Sequence, residues 1–364
     1  MLQMFEVGKF LRKRYGKMFN DTYDPEAVRF LAGDKNRTVD SALLVATGMF
    51  PPRHTHEIWN EHIRYQPIPV HLDLRLSTTG SVTLVLKGEC PTLQFIMESD
   101  QFKDLKDKWN WLVDYLCSSA NTKKHNFFHG FITATVLNIL SQYAEDLDQD
   151  EGFRPLMPPW ANSTIVKKAV EFYWEVEEFL ASWQLVNRIS AGYILKIMIN
   201  EMSWAVRDNP QRMFHAISSH DDSLHSLMKI LNPTWSFKQW PCYAGFMALE
   251  LHKAPAEPAI VKALYWYNVN QKPIRLAIEK CDEPCTLEKF IERSRPYICD
   301  NCAAECGVAP WSIPLETSSR VGGLLLSISI ALLIIFLTTM SCCVWSKYQL
   351  SHTTAEEKRP LLDR

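Results

Sequence analysis

Two stretches, LAGDKNRTVDSA (Leu31–Ala42) and ISSHDDSLHSLM (Ile217–Met228), carry the same local grammar. In each, an apolar extended segment runs into a short polar turn and then into a helical pattern. Glu26–Leu31 reads as a strand and Ser41–Met49 as a helix. Met213–Ile217 reads as a buried strand and Ser223–Leu231 as a helix with apolar Leu224, Leu227, Met228 and Leu231. His220 and Asp221 therefore sit at a strand C-terminus and a helix N-terminus, where free N–H groups and the helix dipole favour an anion. The plainer reading of Asp221 and Asp222 is that one of them caps the helix.

Between the two stretches the pattern becomes helical from about Pro91 to Asn187. Asp100 is placed to cap a helix containing Phe102, Leu105, Trp109, Leu112 and Leu116. Phe127–Ala144 and Thr164–Leu180 read as further helices, joined by a turn rich in proline (Pro155, Pro158, Pro159), and a fourth runs over Ile189–Val206. Gln66–Val70 reads as extended, with strand candidates at Ala244–Leu251 and Ile260–Val269. Strands and helices flanking a helical insert imply an α/β domain carrying a helical cap. Trp109, Trp111, Phe172, Tyr173 and Trp174 fit the cap's core better than a ligand cage.

The chain of 364 residues is 47 % hydrophobic with a formal net charge of -2, which suits a folded body and gives no basic surface for nucleic acid. Its 13 glycines form no phosphate-cradling loop. His54, His56 and His62 read as a solvated loop and not as a metal site.

Further markers lie in order along the chain: FPP (Phe50–Pro52), QPIPVH (Gln66–His71), GECP (Gly88–Pro91) and PPWA (Pro158–Ala161). Together with the two opening stretches they resemble the histidine acid phosphatases over residues 1 to about 306. The resemblance implies a phosphoglycerate-mutase-like α/β domain split into 1–90 and 189–306 around a helical cap at 91–188. It implies hydrolysis of phosphate monoesters at acid pH without metal or other cofactor. Asp221 would be the proton donor to the leaving alkoxide, and His220 would stabilise phosphate charge. Homodimerisation is left open.

The family's nucleophilic histidine lies in an Arg-His-Gly-x-Arg-x-Pro motif, which this sequence does not contain. Arg53-His54-Thr55 and Phe128-His129-Gly130 imitate it but read as surface or core histidines. MLQMFEVGKFLRKRYGK (Met1–Lys17) matches the helix after the catalytic strand, so the sequence is expected to start beyond that strand and any signal peptide. By the same alignment Leu31 stands where an arginine of the Arg-Ser-Thr-Asp box would bind phosphate, and Arg37 is expected to be structural. Covalent catalysis requires its nucleophile, so this form is expected to be catalytically impaired. An active acid phosphatase in a longer form and a non-enzymatic lumenal binding or structural ectodomain are the alternatives.

Val321–Trp345 carries no charge and is long enough to span a bilayer. It follows a linker at 307–320 and precedes a tail at 346–364 holding Lys347, Lys358, Arg359 and Arg364, which predicts a type I protein with a lumenal body and cytosolic tail. Eight of the ten cysteines precede the span, in keeping with an oxidising compartment. The resemblance implies Cys281–Cys285 and Cys90–Cys306 disulfides. Cys117 with Cys242, and Cys299 with Cys302, are remainders paired by elimination only, and a zinc reading of Cys281, Cys285, Cys299 and Cys302 is disfavoured. Sequons at Asn20, Asn36 and Asn162 fit the same compartment, and a glycan at Asn36 would crowd the site. Glu357 with Leu361 and Leu362 fits an acidic dileucine signal read by clathrin adaptors. The expected address is the lysosomal or endosomal membrane, with the plasma membrane as alternative.

Overall fold

The computed structural model describes residues 1–76, 84–146, 157–207, 213–234, 241 and 243–307. At its centre is β1 (Val28–Ala32), whose sequence VRFLA buries Val28, Phe30, Leu31 and Ala32. A strand covered on both faces reads as a nearly continuous apolar run. β1 lies parallel to β2 (Val70–Leu72) on one side and to β3 (Phe214–Ser218) on the other, with Leu31 opposite both His71 and Ile217. The expected strand boundaries shift by a few residues, as exposed ends carry little periodic signal.

Helix α1 (Leu2–Tyr15) and helix α2 (Asn36–Met49) cover one face of this sheet. α2 starts five residues before the expected Ser41. Its first turn is polar, so apolar periodicity misses it. That turn is fixed by the Thr38 hydroxyl, which donates to the carbonyls of Gly33 (2.9 Å) and Lys35 (2.8 Å). α1 and α2 approach closely: a Cβ on Gly48 would lie 2.2 Å from the Phe5 carbonyl oxygen.

A second sheet is antiparallel, in the order β4 (Phe246–His252), β5 (Ile260–Trp266), β6 (Ile274–Leu276). β6 escaped the sequence reading because three residues are too few to show alternation. Among the described residues β3 and β4 each end their sheet, and α1 crosses from one to the other. The Tyr15 ring lies 5.9 Å from that of Phe214, and its hydroxyl donates to Glu250 at 2.7 Å. Phe10 packs on Phe246 and Trp266. β3 is only half-buried along its whole length, unlike β1.

The insert consists of α3 (Asp100–Ser119), α4 (Phe127–Asp146) and α5 (Ser163–Ala181). Ser99, not Asp100, caps α3, accepting from the Phe102 N–H at 3.2 Å, and Asn162 caps α5. The insert's core is aromatic: Phe127 and Phe172 meet edge to face at 5.2 Å, and Trp109 lies 5.4 Å from Phe172. Trp111 is the exception to the expected core, being 52 % exposed. α6 (Gln184–Arg207) then returns, lending Val186 and Ile189 to the cap core and Ile194, Leu195 and Ile199 to the core beneath the second sheet.

Disulfides join Cys90 to Cys306, Cys281 to Cys285 and Cys299 to Cys302. Cys117 is a free, buried thiol, which corrects its pairing with Cys242. It lies inside the cap core, where elimination has no geometric force, and Cys242 falls outside the described residues. No described helix is long and apolar enough to cross a membrane. The span at 321–345 and the tail signal at Glu357, Leu361 and Leu362 lie outside the described residues.

Candidate functional site

The three parallel strands of the first sheet end together. The Gly33 N–H donates to the Ser218 carbonyl (3.2 Å), and the Asp73 N–H donates to that of Ala32 (2.9 Å). The residues just past those ends are therefore neighbours: Gly33–Arg37, Ser218–Asp222 and Asp73–Arg75. None of these contacts is visible in the one-dimensional pattern, since the segments are far apart in sequence.

His220 is the N-cap residue of α7 (Asp221–Leu231), with extended backbone and no side-chain capping bond. α7 thus starts two residues before the expected Ser223. Arg37, in the first turn of α2, brings its Nη2 to 3.2 Å from Nδ1 of His220. An unprotonated Nδ1 accepts that bond, and burial followed by the Arg37 charge holds His220 below its ordinary pKa. Lys35 adds to the positive field and makes only a long contact with Asp34, at 3.7 Å. A guanidinium held against a neutral imidazole beside a helix N-terminus gives the strand ends N–H donors suited to an anion, with the carboxylates of Asp221 and Asp34 acting in the opposite direction.

Neither aspartate caps α7: His220 is the N-cap and both lie in the first turn, with Asp222 accepting from the Ser223 N–H at 2.7 Å. Burial and then the Asp221 carboxylate hold the Tyr173 hydroxyl on α5 protonated, well above its ordinary pKa.

Leu31 is buried in an apolar cluster with Ala191, Leu195 and Met228. The arginine that reaches His220 is Arg37. Its place in the first turn of the helix after the strand was the signal available for finding it.

Sequence reasoning also missed the third strand end. Arg75 forks onto Asp73 with bonds of 2.8 and 2.7 Å, and the Tyr193 hydroxyl donates to Asp73 at 2.7 Å. The Arg75 bonds come first in drawing Asp73 down to about 2. Arg75 also lies over the Tyr193 ring at 4.3 Å. Its charge is committed to this arrangement.

The two imitation motifs stand elsewhere. His54 follows α2, its N–H on the Glu57 carboxylate, and His129 opens α4, its Nδ1 2.8 Å from Asn126 Oδ1. Asn20 and Asn36 are exposed, and Asn36 adjoins Arg37 at the start of α2. Among the described residues no group of histidine, cysteine or carboxylate side chains is arranged to hold a metal.

The family model of the histidine phosphatase superfamily, branch 2, matches residues 1–265. Mouse prostatic acid phosphatase is 27 % identical over 88 % of this chain and 80 % of its own length. Rat lysosomal acid phosphatase is 26 % identical over 93 % and 79 %. Among solved structures, the phytase of Citrobacter braakii superposes with a TM-score of 0.55 at 14 % identity, covering 82 % of this chain and 87 % of that one, and shares its fold. This chain belongs to the histidine phosphatase superfamily, branch 2.

Proposed function

We propose that this chain is a lysosomal or endosomal, membrane-anchored acid phosphatase relative whose site binds phosphate monoesters but does not transfer the phosphoryl group efficiently. The observation that carries the binding half is the 3.2 Å contact between Arg37 and His220 at the ends of parallel strands. In this reading Arg37 clamps phosphate oxygens, forked guanidinium to anion. His220 adds a second donor once the anion raises its proton affinity. Asp221 is placed to protonate a leaving alkoxide. No cofactor enters the scheme.

The catalytic half rests on the sequence, which contains no Arg-His-Gly-x-Arg-x-Pro motif to supply a nucleophilic histidine. A cleft that keeps its clamp and acid but not its nucleophile retains only the residual contribution of binding. The impairment rests on this loss and on Leu31, which stands where the resemblance implies an arginine and cannot fork onto phosphate. The lumenal address draws on the names of the lysosomal relatives, the disulfides and the uncharged run at Val321–Trp345.

The deciding experiment is p-nitrophenyl phosphate turnover at acid pH by the purified chain, with inorganic phosphate binding measured in parallel. Phosphate binding lost in Arg37→Ala, with negligible turnover and no phosphoenzyme, is the expected result. Robust turnover abolished by Asp221→Asn would overturn the impairment and identify another nucleophile. Phosphate binding indifferent to Arg37→Ala would remove the site itself.

A further inference from the structure

Beside the crossing of α1 and α2 lies a groove that the strand-end site does not use. Phe5, Lys9, Arg12 and Lys13 recur at helical spacing along one flank of α1 and form one wall. Gly48, Pro51 and Arg53, at and beyond the end of α2, form the other. The groove encloses about 420 Å³, a volume within the range of small-molecule sites. Arg37 opens α2 and Gly48 lies near its other end, so about 16 Å of helix separate this groove from His220.

Four cations line the groove, and two carboxylates answer them. Lys9 pairs with Glu6 at 2.9 Å, one turn back along α1, an exposed contact of small worth. Its ammonium also lies over the Phe5 ring at 5.8 Å. A single oxygen of Asp21, Oδ1, takes both Arg12 and Arg53, the latter at 3.4 Å. Arg12 is held firmly, donating to the Asn20 carbonyl at 2.9 Å and lying over the rings of Phe19 and Phe50 at 5.2 and 5.3 Å. Lys13 has no ion-pair partner among the described residues. The C-terminal carbonyls of α1 and α2 offset part of this positive field. What remains borders an apolar floor of Phe5, Gly48 and Pro51. A charged rim around an apolar floor suits a ligand with an acidic head and an apolar body.

We propose that this groove binds a small organic phosphate, its phosphoryl oxygens held by Arg53, Lys13 and Lys9 and its apolar body laid against Phe5 and Pro51. Cations in excess of acids suit a dianion, and the planar fork of Arg53 matches two adjacent oxygens. The groove is a second site, independent of Arg37 and His220, and it needs neither nucleophile nor acid.

Isothermal titration calorimetry at neutral pH with benzylphosphonate, whose phosphorus–carbon bond resists hydrolysis, provides the test. The whole chain carries Arg37→Ala, which silences the strand-end site. Lys13→Ala and Arg53→Ala, added singly, are each expected to weaken binding about tenfold or more, the loss of one charge-assisted bond. Both side chains are exposed, so melting temperatures are expected to stay the same, and Lys13→Arg is expected to keep the affinity. Lys103→Ala, which removes an equal charge from the cap, is expected to change nothing. Inorganic phosphate is expected to bind more weakly than benzylphosphonate, and benzyl alcohol not at all. No binding to the Arg37→Ala chain, or equal losses in the Lys13, Arg53 and Lys103 variants, would overturn the proposal. Inorganic phosphate binding as tightly as benzylphosphonate would remove the apolar floor from it. Lys13-dependent retention on phosphatidylcholine vesicles containing phosphatidic acid, without benzylphosphonate binding, would assign the groove to a membrane surface and also overturn it.

Discussion

The cap core and the strand-end site are built from opposite materials. In the cap, Phe102, Phe127, Phe131 and Phe172 are buried against one another, with ring centroids 5.1 Å apart for Phe102 and Phe127. Volume and area decide that region. At the strand ends, Arg37 and His220 meet at 3.2 Å, and the carboxylates of Asp221 and Asp34 act on the same imidazole. Stability concentrates in the cap, while the site gathers charge of both signs. The α5–α7 seam, where Glu178 meets His225 and Lys229, lies between these extremes, buried like the cap yet charged like the site.

The largest effect that separates the regions is expected from Phe172→Ala. Removing a wholly buried ring that touches Trp109 and Phe127 is expected to cost about 3–5 kcal/mol. Chemical denaturation measures the loss. Less than about 1 kcal/mol would mean the cap core is loosely packed and the contrast false.

Gly48→Ala tests the α1–α2 contact beneath the site. Its new methyl would meet backbone at Phe5 and Gly8, which cannot rotate away. Helix separation is expected to cost about 1–3 kcal/mol and to loosen the packing of Tyr15 between β3 and β4. A variant as stable as the unsubstituted chain would show that the helices glide apart freely.

Lys229→Met sharpens the comparison at the seam. It replaces a buried cation by an apolar side chain of similar length, while Glu178 keeps its bond to His225. Removing one partner of a buried ion pair leaves the other charge uncompensated and typically costs about 3–5 kcal/mol; Glu178 is partly exposed and keeps His225, so a loss at or below the lower end of that range is expected. A loss under about 1 kcal/mol would show that the Lys229 charge adds nothing to the seam.

The smallest effect is the pH dependence contributed by His220. Its folded pKa lies below the ordinary 6.5, chiefly through burial and then Arg37. The unfolded chain therefore binds the proton more tightly. Stability is expected to fall as pH drops from about 6.5 toward the folded value. His220→Gln is expected to flatten the slope of stability against pH in that window, and inorganic phosphate to reduce the slope in the unsubstituted chain. An unchanged slope in His220→Gln would assign the dependence to other groups.

Much of this was legible before any coordinates. The repeated strand–turn–helix grammar located His220 and Asp221, and long apolar periods located the cap helices, because burial of one face imposes a period on sequence. The first turns of α2 and α7 were not legible. They are polar, and their starts are fixed by Thr38 and by the end of β3 rather than by periodicity.

Sequence alone determined which residue types were available: an acid and a histidine at a strand end, an arginine six residues beyond Leu31, and no nucleophile motif. It left the arginine's partner open because order along a chain does not say which side chains converge. Only the parallel register of β1 with β3 brings Arg37, six residues beyond the buried Leu31, across to His220. The same holds for Glu178, whose two oxygens meet His225 and Lys229 only because α5 packs along α7, a contact set by the whole fold and by no local rule.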